Sequence, residues 1–325
     1  MKYQSWLDSW FALYIVPVCK PKTAEGYRGV IRNHLVPCLG EEELEALTPV
    51  RLQGFLAERA ACGNRITGGP LSPSSINLIA AVLKGSLSCA CRVGLIPFDP
   101  TGRLSRPRGS ERLVGCFSAE EQSKIERAVL DRDRPYLWGI VLCLYTGLRL
   151  GELLALRWED IDFSLRTLSV TKSCRDGRDG AGNAFLLTGA PKTASSVRIL
   201  PLPRQIVRLL RLLRRRSGGE YVILHGGRRV SLRGYQRMFE RLLKREGIPP
   251  RGFHALRHTF ATRAIECGMD VKTLSELHGH RSPAVTLKRY VHSVLLHKVR
   301  MMDKLGERLS PGGRGIFSEN SLRRV

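Results

Sequence analysis

Six side chains between positions 149 and 290 are of the types that handle a phosphodiester. Arg149 stands in "YTGLRLGELLALRWEDI", Lys192 in "GAPKTASSVRILPLP", His254 and Arg257 in "HALRHTFATRA", and His280 and Tyr290 in "HGHRSPAVTLKRYVH". Together they supply two guanidinium forks, two imidazoles, an ammonium and a phenol. A phosphodiester carries one negative charge, and the transition state for displacement at phosphorus carries more. Guanidinium groups match two phosphate oxygens bidentately. Imidazole and ammonium groups donate further bonds or move protons. A phenol titrates near pH 10 and is a poor nucleophile at neutral pH, but positive neighbours favour its phenolate. Lys288 and Arg289 directly precede Tyr290, and His292 follows it. Taken singly, each group has a simpler reading: Arg149 pairs with Glu152 one turn on, Lys192 is a solvated turn residue, and His254 and His258 cap or pack. The joint set is what points to attack on a phosphate.

The bulk composition suits such a substrate. The chain has 325 residues, enough for about two domains. Apolar residues make up 43%, so a sizeable core is expected. Lys and Arg number 53 against 29 Asp and Glu, a net charge of +24 that calls for a polyanionic partner, nucleic acid ahead of an anionic membrane. The longest apolar run, "LWGIVLCLYTGL" at 137–148, is shorter than the roughly 18–20 residues of a membrane span. "MKYQSWLDSW" has no signal-peptide apolar region. Nine cysteines, an odd number with no CxxC pair, read as reduced thiols. The expectation is a cytosolic protein that binds nucleic acid and no membrane.

The elements that must position these groups fall into two blocks. Residues 1–100 read as a compact domain of four or five helices. Trp6, Trp10, Phe11 and Tyr14 recur at helical spacing as core. Thr48 before Pro49 and Ser72 before Pro73 mark two helix starts. Residues 101–117, rich in Pro, Gly, Ser and Arg, read as a basic linker. A second domain, 118–310, opens on a capping box formed by Ser118 and Glu121. It continues through a buried helix around 137–148, switches to period two around 162–173 and 184–200, and returns to helices. The fold class expected is mainly α with a small antiparallel β-sheet. "PRQIVRLLRLLRRR" carries six arginines and no acid, a face turned to solvent or to DNA. After Tyr290, Leu295, Val299, Met302, Leu305 and Leu309 form an apolar stripe that docks either on its own domain or on a neighbouring protomer. Residues 311–325 read as a disordered tail.

Four blocks in this order, over residues 118–292, resemble the tyrosine recombinases of the phage integrase family. "TGLRLGELLALRWEDID", "PKTASSVRILPL", "HALRHTFATRAIECGMD" and "HGHRSPAVTLKRYVH" match that family's motifs, and residues 1–100 resemble its SAM-like core-binding domain. The interval of ten between His280 and Tyr290 resembles integrases of conjugative transposons and Gram-positive phages; the Xer-like branch usually shows one residue fewer. The resemblance implies a C-shaped DNA clamp of two domains and site-specific cleavage and rejoining of DNA strands that integrates or excises a mobile element. It implies that Arg149 and Arg257 hold the scissile phosphate and that Lys192 protonates the leaving 5′ oxygen. His254 takes the tyrosine proton or donates to phosphate, and His280 donates to a phosphate oxygen. Tyr290 is the nucleophile and forms a 3′-phosphotyrosyl bond. Glu152 orients Arg149 or His254. The covalent ester keeps the bond energy, so neither ATP, metal nor other cofactor is needed. The partners implied are duplex DNA, further copies of the chain as a tetramer on DNA, and a directionality factor or host DNA-bending protein, in a bacterial cytoplasm at the nucleoid.

The chain departs from the pattern at His278, where the family usually has leucine, so that this position is either neutral or an added phosphate donor. It also shows no extra module for distant arm sites before Trp6. Three other readings remain. A zinc protein would use His254 and His258, four apart, but position 255 is alanine where a zinc protease needs glutamate. A non-catalytic DNA-binding regulator would need only the charge and the helices. A type IB topoisomerase shares the nucleophile and most of its helpers.

Overall fold

The computed structural model describes residues 1–105, 115–130, 134–178, 184–191, 194–279, 282, 284, 299 and 301–305. Contacts divide the chain into two compact units, Met1–Arg112 and Leu113–Val325.

In the first unit, α1 (Tyr3–Trp10) runs into a π-helical turn, Phe11–Ile15. α2 (Pro21–Val30) runs into a second, Ile31–Leu35, and then into α3 (Val36–Leu39). α4 (Pro49–Cys62) and α5 (Pro73–Arg92) follow. Local chemistry sets the starts: proline needs no N–H at the first helical position, and the residue before it caps. Thr48 Oγ1 accepts from the Arg51 N–H at 3.3 Å and Ser72 Oγ from the Ser75 N–H at 3.2 Å. Tyr3, Trp6, Leu7 and Trp10 are buried with Leu35, Phe55, Ile79 and Leu83. The polar ends of the aromatics are satisfied: Tyr3 Oη bonds Ser86 Oγ at 2.7 Å, and Trp6 Nε1 donates to the Ser86 carbonyl at 2.9 Å. Tyr14 differs from the core expectation and is 41% exposed. The wider π turn delays the inward position by one residue, so Ile15 is buried in its place. α5 is long and apolar enough, by length and composition, to cross a bilayer. Its Ile76, Ile79, Leu83 and Leu87 are instead core of this unit.

The first helix of the second unit is α6 (Ala119–Leu130). Its capping box forms as expected, with the Glu121 N–H donating to Ser118 Oγ at 3.1 Å and the Ser118 N–H to Glu121 Oε2 at 2.8 Å. α7 (Trp138–Thr146) is buried along almost its whole length, and α11 (His254–Glu266) packs along it. α8 (Leu150–Ala155) follows a sharp turn. The period-two segments form two sheets rather than one. β1 (Ile161–Asp162), β2 (Thr167–Val170) and β5 (Arg198–Pro201) make an antiparallel sheet in the order β1-β2-β5, with Leu168 opposite both Ile161 and Leu200. β3 (Ser173–Arg178) and β4 (Ala184–Gly189) make a separate hairpin. The stretch 184–200 is broken because Pro191 follows Gly189 and Ala190 and cannot donate to a ladder.

α9 (Arg204–Arg216) buries Ile206, Val207, Leu210 and Leu213 and exposes all six arginines. Some of these lie over aromatic rings, such as Arg214 over Phe163 at 5.7 Å and Arg216 over Trp138 at 5.5 Å. α10 (Leu232–Arg245) is capped by Ser231 and α12 (Val271–His278) by Asp270. Of the apolar stripe beyond Tyr290, Val299, Met302 and Leu305 are exposed; Leu295 and Leu309 lie outside the described residues, as does the expected tail at 311–325.

Candidate active site

Arg149 owes its place to Gly147. α7 ends there in the left-handed conformation, φ +66°, and the Gly147 N–H closes the helix on the Cys143 carbonyl at 2.9 Å. Two residues later Arg149 caps α8. Its backbone N–H donates to Glu152 Oε2 at 2.9 Å, and its Nη1 donates to Oε1 at 2.7 Å. The Arg149 side chain is 35% exposed, and that of Glu152 only 2%. The pairing expected between the two therefore forms, and it leaves the arginine facing outward from a buried anchor.

Glu152 has a second partner. Arg198, the first residue of β5, donates from Nη2 to Oε2 at 2.9 Å and from Nη1 to Oε1 at 3.1 Å. Burial opposes ionisation of this carboxyl, but the bonds and charge of Arg198, with Arg149 behind them, outweigh it and hold the group below its ordinary range. Sequence reasoning missed Arg198, although a signal was present. In "VRILPL", Leu200 faces inward while Ile199 is exposed, so period two turns Arg198 inward as well. A guanidinium on a buried face needs a carboxylate.

Arg257 is 2% exposed on α11. Its Nη1 donates to the Gly147 carbonyl at 2.7 Å and its Nη2 to the His278 carbonyl at 2.5 Å. It thus joins the turn that precedes Arg149 to the turn that precedes His280. His254 is exposed in the first turn of α11, with its ring 4.8 Å from that of buried His258. His278 is fully buried and stacks on Phe260, with ring centroids 5.5 Å apart. Gly279 takes φ +58°, and a Cβ there would lie 2.8 Å from the Ser195 carbonyl oxygen and 3.3 Å from Arg198 Cδ. The turn entering His280 therefore rests on the segment leaving Lys192. Lys192, His280 and Tyr290 themselves lie outside the described residues. Among the described residues no group of His, Cys, Asp and Glu is arranged to hold a metal. All nine cysteines are free thiols, and burial pushes the Cys143 thiol beneath the Arg149 turn upward.

The fold and the four motif blocks are those of a tyrosine recombinase. Residues 117–296, more than half of the chain, match the model of the phage integrase family, and residues 2–58 match the phage integrase N-terminal SAM-like domain. The chain belongs to the phage integrase family. It is 29% identical over 315 residues to a tyrosine recombinase XerC-like protein of Caldanaerobacter subterraneus subsp. tengcongensis, covering 89% of this chain and 78% of that one. Its fold is similar to that of the Tn1549 transposon integrase in complex with a circular intermediate DNA, with a TM-score of 0.78, 21% identity, and coverage of 94% of this chain and 99% of the other. It is also similar to that of lambda integrase, solved as a tetramer bound to a Holliday junction, with a TM-score of 0.69, 22% identity, and coverage of 89% and 77%.

Proposed function

We propose that this chain is an integrase that cuts and rejoins DNA at specific sites by transesterification on Tyr290. The phenolic oxygen attacks the scissile phosphorus and the 5′ oxygen leaves, giving a 3′-phosphotyrosyl ester. A 5′ hydroxyl of a second strand then attacks that ester and releases the tyrosine. One phosphate ester replaces another at each step, so no external energy source enters. Arg149 and Arg257 hold the phosphate and His280 donates to it. His254 takes the tyrosine proton, and Lys192 supplies the proton that the 5′ oxygen needs. Glu152 holds Arg149 in place.

The observation that carries this reading is the convergence of the arginine blocks. Arg149 and Arg198 share Glu152, and Arg257 bonds the carbonyls of Gly147 and His278. A regulator that only bound DNA would have no use for a buried carboxylate that aims one arginine outward. A topoisomerase reading has no comparable support, since the family matched is that of integrases. The net charge of +24 supports duplex DNA as the partner. The exposed stripe of Val299, Met302 and Leu305 supports docking on a second copy, as expected of a tetramer on DNA. A directionality factor or bending protein and a place at the bacterial nucleoid belong to the same reading.

The test is Tyr290→Phe, which removes one oxygen and leaves DNA affinity nearly unchanged. On a nicked duplex that traps the cleaved state, wild type forms an SDS-resistant adduct and the variant forms none. An adduct in the variant would overturn the assignment of Tyr290.

A further inference from the structure

We propose that Arg198 is a positioning residue for strand cleavage: it anchors Glu152 so that Arg149 meets the scissile phosphate with its charge intact. The inference rests on the integrase reading above and adds to it a residue outside the six reacting groups.

The geometry of a shared carboxylate carries the argument. Glu152 accepts four hydrogen bonds, two from Arg149 at 2.7 and 2.9 Å and two from Arg198 at 2.9 and 3.1 Å. With one arginine, the pair would be neutral and the carboxylate would cancel much of the field offered to a phosphate. With two, the trio keeps a net charge of +1. That charge emerges at Arg149, because the Arg149 side chain is 35% exposed and the Arg198 side chain 6%. Arg198 cannot itself touch a phosphate from its buried place on β5. It acts on the carboxylate, and the carboxylate acts on Arg149.

The rest of the Arg198 side chain extends this to a second part of the site. Nε donates to the Leu277 carbonyl at 2.6 Å and Nη1 to the Ser196 carbonyl at 3.0 Å. Leu277 lies two residues before Gly279, and Gly279 sits against the Arg198 stem. One planar fork thus ties the α8 anchor to the turn that enters His280, and it does so six residues after Lys192. Lysine, with a single nitrogen, cannot reach Glu152 and the Leu277 carbonyl together.

Two variants separate positioning from plain stability. Arg198→Lys keeps the charge and loses the fork, and Arg198→Met loses both. Each is assayed for covalent adduct formation on a nicked duplex, at a temperature well below its own melting transition. The substrate carries either the natural scissile phosphate or a neutral methylphosphonate at that position. On the natural substrate, adduct formation in Arg198→Lys is expected to slow on the order of tenfold. Arg198→Met should lose more, toward the hundredfold cost of removing a transition-state donor. DNA affinity should stay within a few-fold of wild type in both. On the methylphosphonate the loss should shrink severalfold, because a neutral group asks less of the Arg149 charge. A residue that merely holds the fold would slow both substrates equally. Unchanged cleavage in Arg198→Lys, or an equal loss on the two substrates, overturns the proposal. If Arg198→Met does not fold, the ratio measured for Arg198→Lys decides. Should Tyr290→Phe still form an adduct, the integrase reading would fail, whatever the Arg198 variants show.

Discussion

Gly147→Ala tests how far the site depends on one backbone turn. Gly147 holds φ +66°, where an L side chain costs roughly 1–2 kcal/mol. A Cβ built there lies 2.7 Å from Phe260 Cδ1 and 2.9 Å from His278 Nε2. Neither ring moves aside cheaply, since His278 is fully buried and the two rings stack on each other. Overpacking of this kind costs about 1–3 kcal/mol. The sum is about 2–5 kcal/mol, which for a unit of this size lowers the melting temperature by about 4–20 °C. The turn also presents the carbonyl that Arg257 bonds at 2.7 Å and leads directly into Arg149. Relaxing the clash displaces both arginines, and a misplacement of about 1 Å costs on the order of a hundredfold in rate. The assay is thermal unfolding together with adduct formation on a nicked duplex, well below the transition. Gly218→Ala is the control, because Gly218 has no atom within 4 Å of a built Cβ and no positive φ; it should stay within about 0.5 kcal/mol of wild type. A Gly147→Ala protein that melts within about 2 °C of wild type and cleaves at the normal rate would refute the reasoning, given the slope of a few degrees per kcal/mol.

Arg149→Lys should lower cleavage by on the order of a hundredfold with little change in melting, since its side chain is partly exposed and only the fork is lost. Arg257→Lys should lower both, because each charge-assisted bond to the Gly147 and His278 carbonyls contributes about 1.5–3 kcal/mol; wild-type rates in either variant would show that arginine to be dispensable for the chemistry. The Glu152 carboxyl is held below its ordinary value, so its contribution is fully present above that value and is lost as pH falls through the lowered one. Glu152→Gln should therefore be less stable than wild type by about 3–5 kcal/mol at pH 7, with the gap closing as both are melted at progressively lower pH; a gap independent of pH would contradict the buried pair. Site affinity should fall with salt at a log–log slope of about −0.9 per phosphate contacted, and a nearly flat response would contradict extensive backbone contact.

The legible parts of this protein are those decided within a few residues or by side-chain chemistry alone. Thr48 with Pro49, Ser72 with Pro73, and Ser118 with Glu121 state their helix starts, because a cap and the N–H it satisfies lie only three residues apart. The Arg149–Glu152 pair is legible for the same reason. The reacting groups announce themselves by type and order, since few tasks require guanidinium, imidazole, ammonium and phenol together. The tertiary structure decided what depends on distant chain segments. Period two marks residues 184–200 as extended, but which partner each half finds depends on β2 and β3, and the stretch divides between two sheets. The helical spacing that includes Tyr14 cannot foresee the π turn that moves it outward. Arg198 and Glu152 stand 46 positions apart, and nothing local says that β5 passes beside α8 and α12. Their bond forms because β2 pairs with β5 in a register that turns Arg198 to the inner face. There, out of water, a guanidinium is stable only against a carboxylate that is already held.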